Sequence, residues 1–185
     1  MSEPAVHPAI AALAPPANRA DLFAVLDVLG ISHRTTNHPP TFTVAESAKI
    51  KAEMPGGHTK NLFLADKAGN LALVSALAEA KIPVNKLHRV LAARGHDVQR
   101  FSFGKEDALW EALGVRPGSV TAFALINDPA ARVRMVIDSN LIAHETVNFH
   151  PLENTATTAI ASADLMRFVR AAGREPIVID FDELS

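Results

Sequence analysis

Cysteine is absent from all 185 residues. Disulfides, thiolate nucleophiles and cysteine-bearing metal sites are therefore excluded. No apolar run approaches the roughly 20 residues that span a bilayer, and the opening stretch to Pro8 has neither the basic nor the apolar segment of a secretory signal. A large basic excess is missing too. The net charge is −2, whereas indiscriminate nucleic-acid binders neutralise many phosphates and need many cations. Any nucleic acid this chain meets is expected at one end or one patch. Together these absences fit a cytoplasmic enzyme or binding protein with no membrane partner.

Several motifs are missing as well. Eight histidines invite a metal reading, yet none falls in His-Glu-x-x-His. His144 and His150 lie six residues apart with no helical pattern between them. Zinc needs three or four convergent ligands, so no metal site is expected, nor any cofactor. There is no Gly-x-Ser-x-Gly elbow, no phosphate-binding loop of the Walker type and no Gly-x-Gly-x-x-Gly.

What is present is a globular composition, nearly half hydrophobic and about a fifth charged. The Ala/Pro-rich residues 1–18 read as a flexible leader, and residues 19–185 as one domain. Leu22, Val25, Leu26 and Leu29 recur at helical spacing before Gly30. Thr43-Val44-Ala45-Glu46 is a capping box that opens a helix to about Glu53. Apolar runs at 61–65 and 71–77, split by Asp66-Lys67-Ala68-Gly69-Asn70, predict a β-hairpin. Helices are expected near 84–94, 105–113 and 162–172, the last capped by Ser162. Strands are expected at 31–38, 98–103, 121–126, 133–138, 145–149, 155–160 and 177–181, with 133–138 an antiparallel partner of 121–126. Hairpin-like strands with short helices between them predict an α+β fold. The expected form is a mixed, mostly antiparallel sheet or a partly closed barrel.

Gly56-Gly57-His58-Thr59-Lys60-Asn61-Leu62-Phe63-Leu64 stands out, because two glycines deliver a polar quartet to the mouth of an apolar strand. Glycine lets a ligand approach the main chain closely, and a lysine there can hold a phosphate or a developing negative charge. The plainer reading is a loop whose lysine caps a sheet edge. Arg116-Pro117-Gly118-Ser119-Val120 offers a tight turn whose amides can serve an oxyanion, or simply a turn before a strand.

Four segments taken together resemble the YbaK/ProX family of stand-alone relatives of the prolyl-tRNA synthetase insertion domain. They are Thr41-Phe42-Thr43; the run from Gly57 to Leu64; Leu113 to Thr121; and Asn148-Phe149-His150-Pro151-Leu152-Glu153-Asn154-Thr155-Ala156-Thr157. The likeness covers nearly the whole chain after residue 18, with the segments in family order, and is nearest to the ProX branch, whose members remove alanine mischarged onto proline tRNA. It implies a trans-editing aminoacyl-tRNA deacylase. Lys60 matches the family's required lysine beside the terminal adenosine and the ester, and Asn61 follows it as in the family pattern. Gly118 and Ser119 match the glycine loop, and His150 falls in a segment that lines the same pocket. Thr41, His58, Asn61, Thr121 and Asn154 are the substrate-binding candidates. One departure is Ala122, where relatives often carry proline.

Within that resemblance Lys60 is expected to orient the terminal phosphate or the ester carbonyl. The Gly118 and Ser119 amides are expected to hold the oxyanion, and His150 to position water or bond the pocket wall. The implied partners are the aminoacylated 3′ end of a tRNA, first tRNA(Pro), and prolyl-tRNA synthetase or an elongation factor. Phe42, Phe63 and Phe123 are candidates for an apolar wall, and Lys49, Lys51, Lys86 and Arg89 for tRNA backbone contact. Two rival readings are hydrolysis of another small aminoacyl ester (serine or cysteine) and a non-catalytic nucleic-acid-binding or regulatory module.

Overall fold

Local signals set the helix starts and period-two alternation sets the sheet. The computed structural model describes residues 2–40 and 43–184, so Thr41 and Phe42, named above as candidates, lie outside the described residues. In chain order the elements are α1 (Pro8–Ala11), α2 (Arg19–Val28), β1 (Arg34–Asn37), α3 (Val44–Glu53), β2 (Gly57–Ala65), β3 (Leu71–Leu77), α4 (Val84–Ala93), β4 (Ser102–Phe103), α5 (Glu106–Leu113), a 3-10 helix (Ala122–Asn127), β5 (Val133–Asp138), α6 (Ser139–Ile142), β6 (Thr146–Phe149), β7 (Ala156–Ala161), α7 (Ser162–Ala171), β8 (Ile177–Ile179) and a closing 3-10 helix (Phe181–Leu184). Reciprocal capping boxes start two helices, Asn18 with Asp21 for α2 and Thr43 with Glu46 for α3. No helix among the described residues is long and apolar enough to cross a membrane.

The strands form one mixed sheet in the order β1-β7-β6-β2-β3-β5-β8, with β4 added to β2. Pairs β1–β7, β6–β7, β2–β3 and β2–β4 are antiparallel, while β2–β6, β3–β5 and β5–β8 are parallel. The fold is α+β, and of the two expected forms it is the open sheet, since β1 and β8 end the order without meeting.

Alternation divides the sheet's two faces. Phe63, Leu73, Met135, Ile137, Val147 and Phe149 belong to the larger core. Leu64, Ala72, Val74, Ala76 and Val136 belong to a smaller one beneath α4, which adds Leu87 and Leu91. On the larger side Phe123 meets Phe149 and Phe168 edge-on, with ring centroids 5.6 and 5.4 Å apart.

Several expectations are corrected. Residues 122–127 form a 3-10 helix rather than a strand: Thr121 Oγ1 accepts from the Phe123 amide at 3.3 Å, and all six residues are buried in the core. A short continuous apolar run does not by itself distinguish strand from buried helix. Consequently β5 pairs in parallel with β3 and β8 instead of with that segment. Residues 98–101 stay outside the ladder, leaving β4 only two residues long. Ser162 is the first residue of α7, and its cap, Ala161, supplies no side-chain bond. The opening segment is packed, not loose. Ile10 and Ala17 are in the core, the His7 amide donates to the Ala171 carbonyl at 2.8 Å, and the Ala17 amide donates to Asn127 Oδ1 at 2.8 Å.

A buried ion pair locks the turn before β5 to the end of α7. Arg174 donates to Asp128 Oδ2 at 2.7 Å and to the carbonyls of Val133, Asp128 and Ala172, with both side chains almost fully enclosed. Removing one partner strands a buried charge. Arg174→Met is therefore expected to cost about 3–5 kcal/mol in urea unfolding. Arg174→Met with Asp128→Asn is expected to recover part of that loss.

Candidate active site

The candidate site is a fork between two strands. β2 and β6 pair only through Gly57 with Val147 and His58 with Asn148. Entry into that contact needs glycine: Gly56 has φ +107°, and a Cβ there would stand 2.5 Å from the Thr146 carbonyl oxygen. Beyond His58 the strands part, β2 keeping to β3 and β6 to β7. A cavity of about 160 Å³ opens between them, with α3 above it contributing Ser47, Ile50 and Lys51. That is small beside the roughly 300–1,000 Å³ of sites for drug-sized ligands.

Alternation explains who lines it. Asn148 and His150 follow one another at period two, His58 stands opposite Asn148, and Thr157 and His38 come from β7 and the end of β1. Backbone carbonyls then decide the imidazole tautomers, because a carbonyl only accepts. His150 Nδ1 donates to the Ala156 carbonyl at 2.8 Å, His58 Nε2 to Met54 at 2.8 Å, and His38 Nδ1 to Pro39 at 2.8 Å. His38 Nε2 is then the acceptor for the Thr157 hydroxyl at 2.8 Å. His150 Nε2 and His58 Nδ1 are left as acceptors without a partner among the described residues. Burial holds the His150 pKa below the ordinary imidazole value, against the pull of the Ala156 bond. It is therefore a neutral base at pH 7.

A relay ties three strands beside the cavity. Ser75 donates to Asn61 Oδ1, Asn61 Nδ2 donates to Thr59 Oγ1 at 3.3 Å, and Thr59 donates to the Asn148 carbonyl at 2.8 Å. Asn61 thus acts through Thr59, which lines the cavity. Lys60 is half-buried on β2 opposite Ala76, on the same sheet face as His58 and one pleat beyond it. It makes no hydrogen bond or ion pair among the described residues, and it does not line the cavity.

The glycine turn lies elsewhere than expected. Arg116-Pro117-Gly118-Ser119 is a turn of type II form, with Gly118 at φ +89° and the Ser119 amide donating to the Arg116 carbonyl at 3.0 Å. The Ser119 N–H is therefore spent inside the turn, which corrects its expected role as an oxyanion donor. The Gly118 amide has no acceptor among the described residues. A Cβ on Gly118 would meet only Asn154 Nδ2, at 3.7 Å, so the turn abuts the loop that follows His150 without lining the cavity. Thr121 is fully buried as the cap of the 3-10 helix, Phe123 is core, and Phe63 is core as well. Of the expected cations, Lys51 pairs with Glu79 at 3.1 Å and Lys86 donates to the Leu184 carbonyl at 2.8 Å. Lys49 borders a second cavity that shares His38 and Ile50 with the first. Among the described residues no three His, Asp or Glu side chains converge on a metal position.

Sequence reasoning assigned no role to His38, Thr59, Asn148 or Thr157. The available signal was a polar residue inside an apolar strand, Asn148 between Val147 and Phe149 and Thr157 after Ala156.

The family model described as "Aminoacyl-tRNA editing domain" matches residues 38–168, a span that begins at His38 and contains the whole cavity. The chain belongs to this editing-domain family. Its members hydrolyse the ester of aminoacyl-tRNA, and this editing domain is a trans-editing hydrolase of that kind. It is 36% identical over 167 residues to prolyl-tRNA synthetase associated domain-containing protein 1 of Mus musculus, covering 89% of this chain and 96% of that protein. It is 35% identical over 153 residues to the prolyl-tRNA editing protein ProX of Acetoanaerobium sticklandii, covering 82% and 90%. A crystal structure of a candidate trans-editing enzyme for prolyl tRNA synthetase shares the fold, with TM-score 0.66, 18% identity, and 91% and 98% of the two chains covered.

The His150 environment predicts a pH effect on stability. The folded value lies below the unfolded one of about 6.5, so the unfolded chain takes up the proton first as pH falls. This contribution is complete above about pH 6.5 and is lost as pH drops through the lower folded value. His150→Asn keeps a donor for the Ala156 carbonyl and removes the titration. Urea midpoints of this variant are expected to fall less steeply from about pH 7 to pH 5 than those of the parent. Part of the slope remains from His96, whose pKa burial also lowers.

Proposed function

We propose that this editing domain removes alanine from mischarged tRNA(Pro). One observation carries the reading. Among the described residues, a small cavity holds two imidazoles, each with a ring nitrogen left free, and a cation without a partner, Lys60, stands on the same sheet face. The relatives named for prolyl-tRNA synthetase and prolyl-tRNA editing support proline tRNA as the carrier.

An aminoacyl ester is already activated, so placing water and stabilising charge supplies most of what hydrolysis needs. Water held at His150 Nε2 attacks the carbonyl carbon and gives up a proton to that nitrogen. The oxyanion formed faces the Lys60 ammonium. Collapse breaks the bond from the carbonyl carbon to the ribose oxygen, and the proton passes to that oxygen. Free alanine and an intact tRNA 3′ end result. Asn61 positions Thr59 and the fork rather than touching substrate. Gly118, through its free amide, and Asn154 contact the terminal adenosine.

The size of the cavity supplies the selectivity. Synthetase pockets gain only about 1–3 kcal/mol from a missing methylene, so small amino acids leak in and a smaller second sieve is the remedy. Alanine fits such a sieve and the prolyl ring overlaps its walls.

Two measurements test the reading. Lys60→Ala is expected to lower kcat/KM on alanyl-tRNA(Pro) by about 10²–10³-fold with an unchanged circular dichroism spectrum. Retention of the full rate would refute its role. In a panel of alanyl, seryl, cysteinyl and prolyl esters on tRNA(Pro), alanine is expected to be released promptly and proline spared. Equal release of proline would sink the size argument.

A further inference from the structure

Trp110 is the single tryptophan of the chain, and it stands 40% exposed on α5. The Arg116 guanidinium lies over its ring, 4.0 Å from the centroid. That guanidinium makes no hydrogen bond or ion pair among the described residues. Five N–H donors are thus held beside an indole with their bonds unspent. A lone exposed hydrophobic side chain is ordinary. An exposed indole joined to an unspent guanidinium is a different feature, because nucleobases stack on aromatic and guanidinium planes and accept hydrogen bonds on their edges.

The position of the pair connects it to the cavity. Arg116 opens the turn that Gly118 bends, so the two lie at most about 7 Å apart along the chain. Gly118 abuts Asn154, whose Nδ2 would stand 3.7 Å from a Cβ on that glycine. Asn154 belongs to the loop closed by the bond from His150 to the Ala156 carbonyl, which Arg19 braces through Glu153 at 2.6 Å. A continuous path therefore runs from the cavity, through the His150 loop and the Gly118 turn, to the Trp110 ring. Charge limits what can lie at its end. Glu106 and Asp107 stand one turn before Trp110 on α5, and Glu111 faces Arg132 at 3.7 Å. These carboxylates repel a run of phosphates along the helix and leave Arg116 as the attractive end. The surface suits one base rather than a duplex.

We infer that Trp110 and Arg116 form a stacking platform for the cytidine that precedes the terminal adenosine of the tRNA. This rests on the deacylase reading and extends it by one nucleotide. The single-stranded 3′ end of a tRNA runs cytidine, cytidine, adenosine, and unstacked bases at such ends are what aromatic side chains capture. With the adenosine at Gly118 and Asn154, the preceding base reaches Arg116. Its ring stacks on the indole and guanidinium, and its O2 and N3 atoms accept from the guanidinium N–H groups.

Trp110 fluorescence reports on the platform alone, since the chain has no other tryptophan. Unacylated tRNA(Pro) is expected to quench it, and tRNA(Pro) shortened by its last two nucleotides to leave it unchanged. On alanyl-tRNA(Pro), Trp110→Ala is expected to raise KM about tenfold, the scale of one lost base stack, with kcat kept. Trp110→Phe, which retains a ring, is expected to restore most of that loss. Arg116→Lys keeps the charge without the plane and is expected to resemble Arg116→Ala. A purely structural role for Trp110 would lower kcat and the melting temperature together, which overturns the inference. Equal quenching by whole and shortened tRNA overturns it too, as does a fluorescence change seen only with prolyl-tRNA synthetase, which assigns the surface to a protein partner. Quenching without release of alanine would keep the platform and sink the deacylase reading. Release of alanine without quenching would do the reverse.

Discussion

Two residue pairs between β2 and β6 hold the two halves of the sheet together. Everything at the site depends on how brief that contact is. Were the parallel pairing to continue past His58, main-chain hydrogen bonds would fill the space where the cavity lies. Were it absent, Asn148, His58 and His150 would lose their common face. The contact can start only because Gly56 lies against the Thr146 carbonyl where no Cβ fits. Backbone steric permission at one residue thus sets the position of a polar cluster drawn from four strands.

Around the fork, hydrogen bonds to main-chain carbonyls do much of the chemical tuning. Three histidines each give one ring hydrogen to a carbonyl, which leaves an acceptor on the far side of every ring. The Ser75–Asn61–Thr59 relay braces the same region from the opposite face of β2. The outcome is a cavity rich in acceptors beside a lysine that has no partner among the described residues, a separation of charge and lone pairs over about one pleat of a strand.

The charge balance of the chain agrees with a local mode of tRNA contact. With a net charge of −2, long-range attraction to a polyanion is weak. Of the cations near the cavity, Lys51 is already paired with Glu79, and Lys49 borders the adjoining cavity under α3. On the function proposed above, recognition rests on the acyl group and the last nucleotide more than on the body of the tRNA.

Much of this was legible in the residues themselves. The capping box at Thr43, the hairpin turn at 66–70 and the alternation in β2 and β3 are local signals, and they appear in the fold where the sequence places them. The family resemblance, too, was carried by short segments in order. What local signals could not decide was long-range. Residues 122–127 form a 3-10 helix because they fill a core between Phe149 and Phe168, and the opening Ala/Pro segment is ordered because Ile10 finds that core. The Ser119 amide looked free in sequence and is occupied within the four-residue turn from Arg116 to Ser119. Asn148 and Thr157 read as ordinary strand residues until β2, β6 and β7 bring them together. Residue type and spacing therefore determined the elements and the kind of chemistry available, because both are set by neighbours within a few positions. Which polar groups share one cavity, and which are left without a partner there, was decided only when strands distant in sequence met and parted.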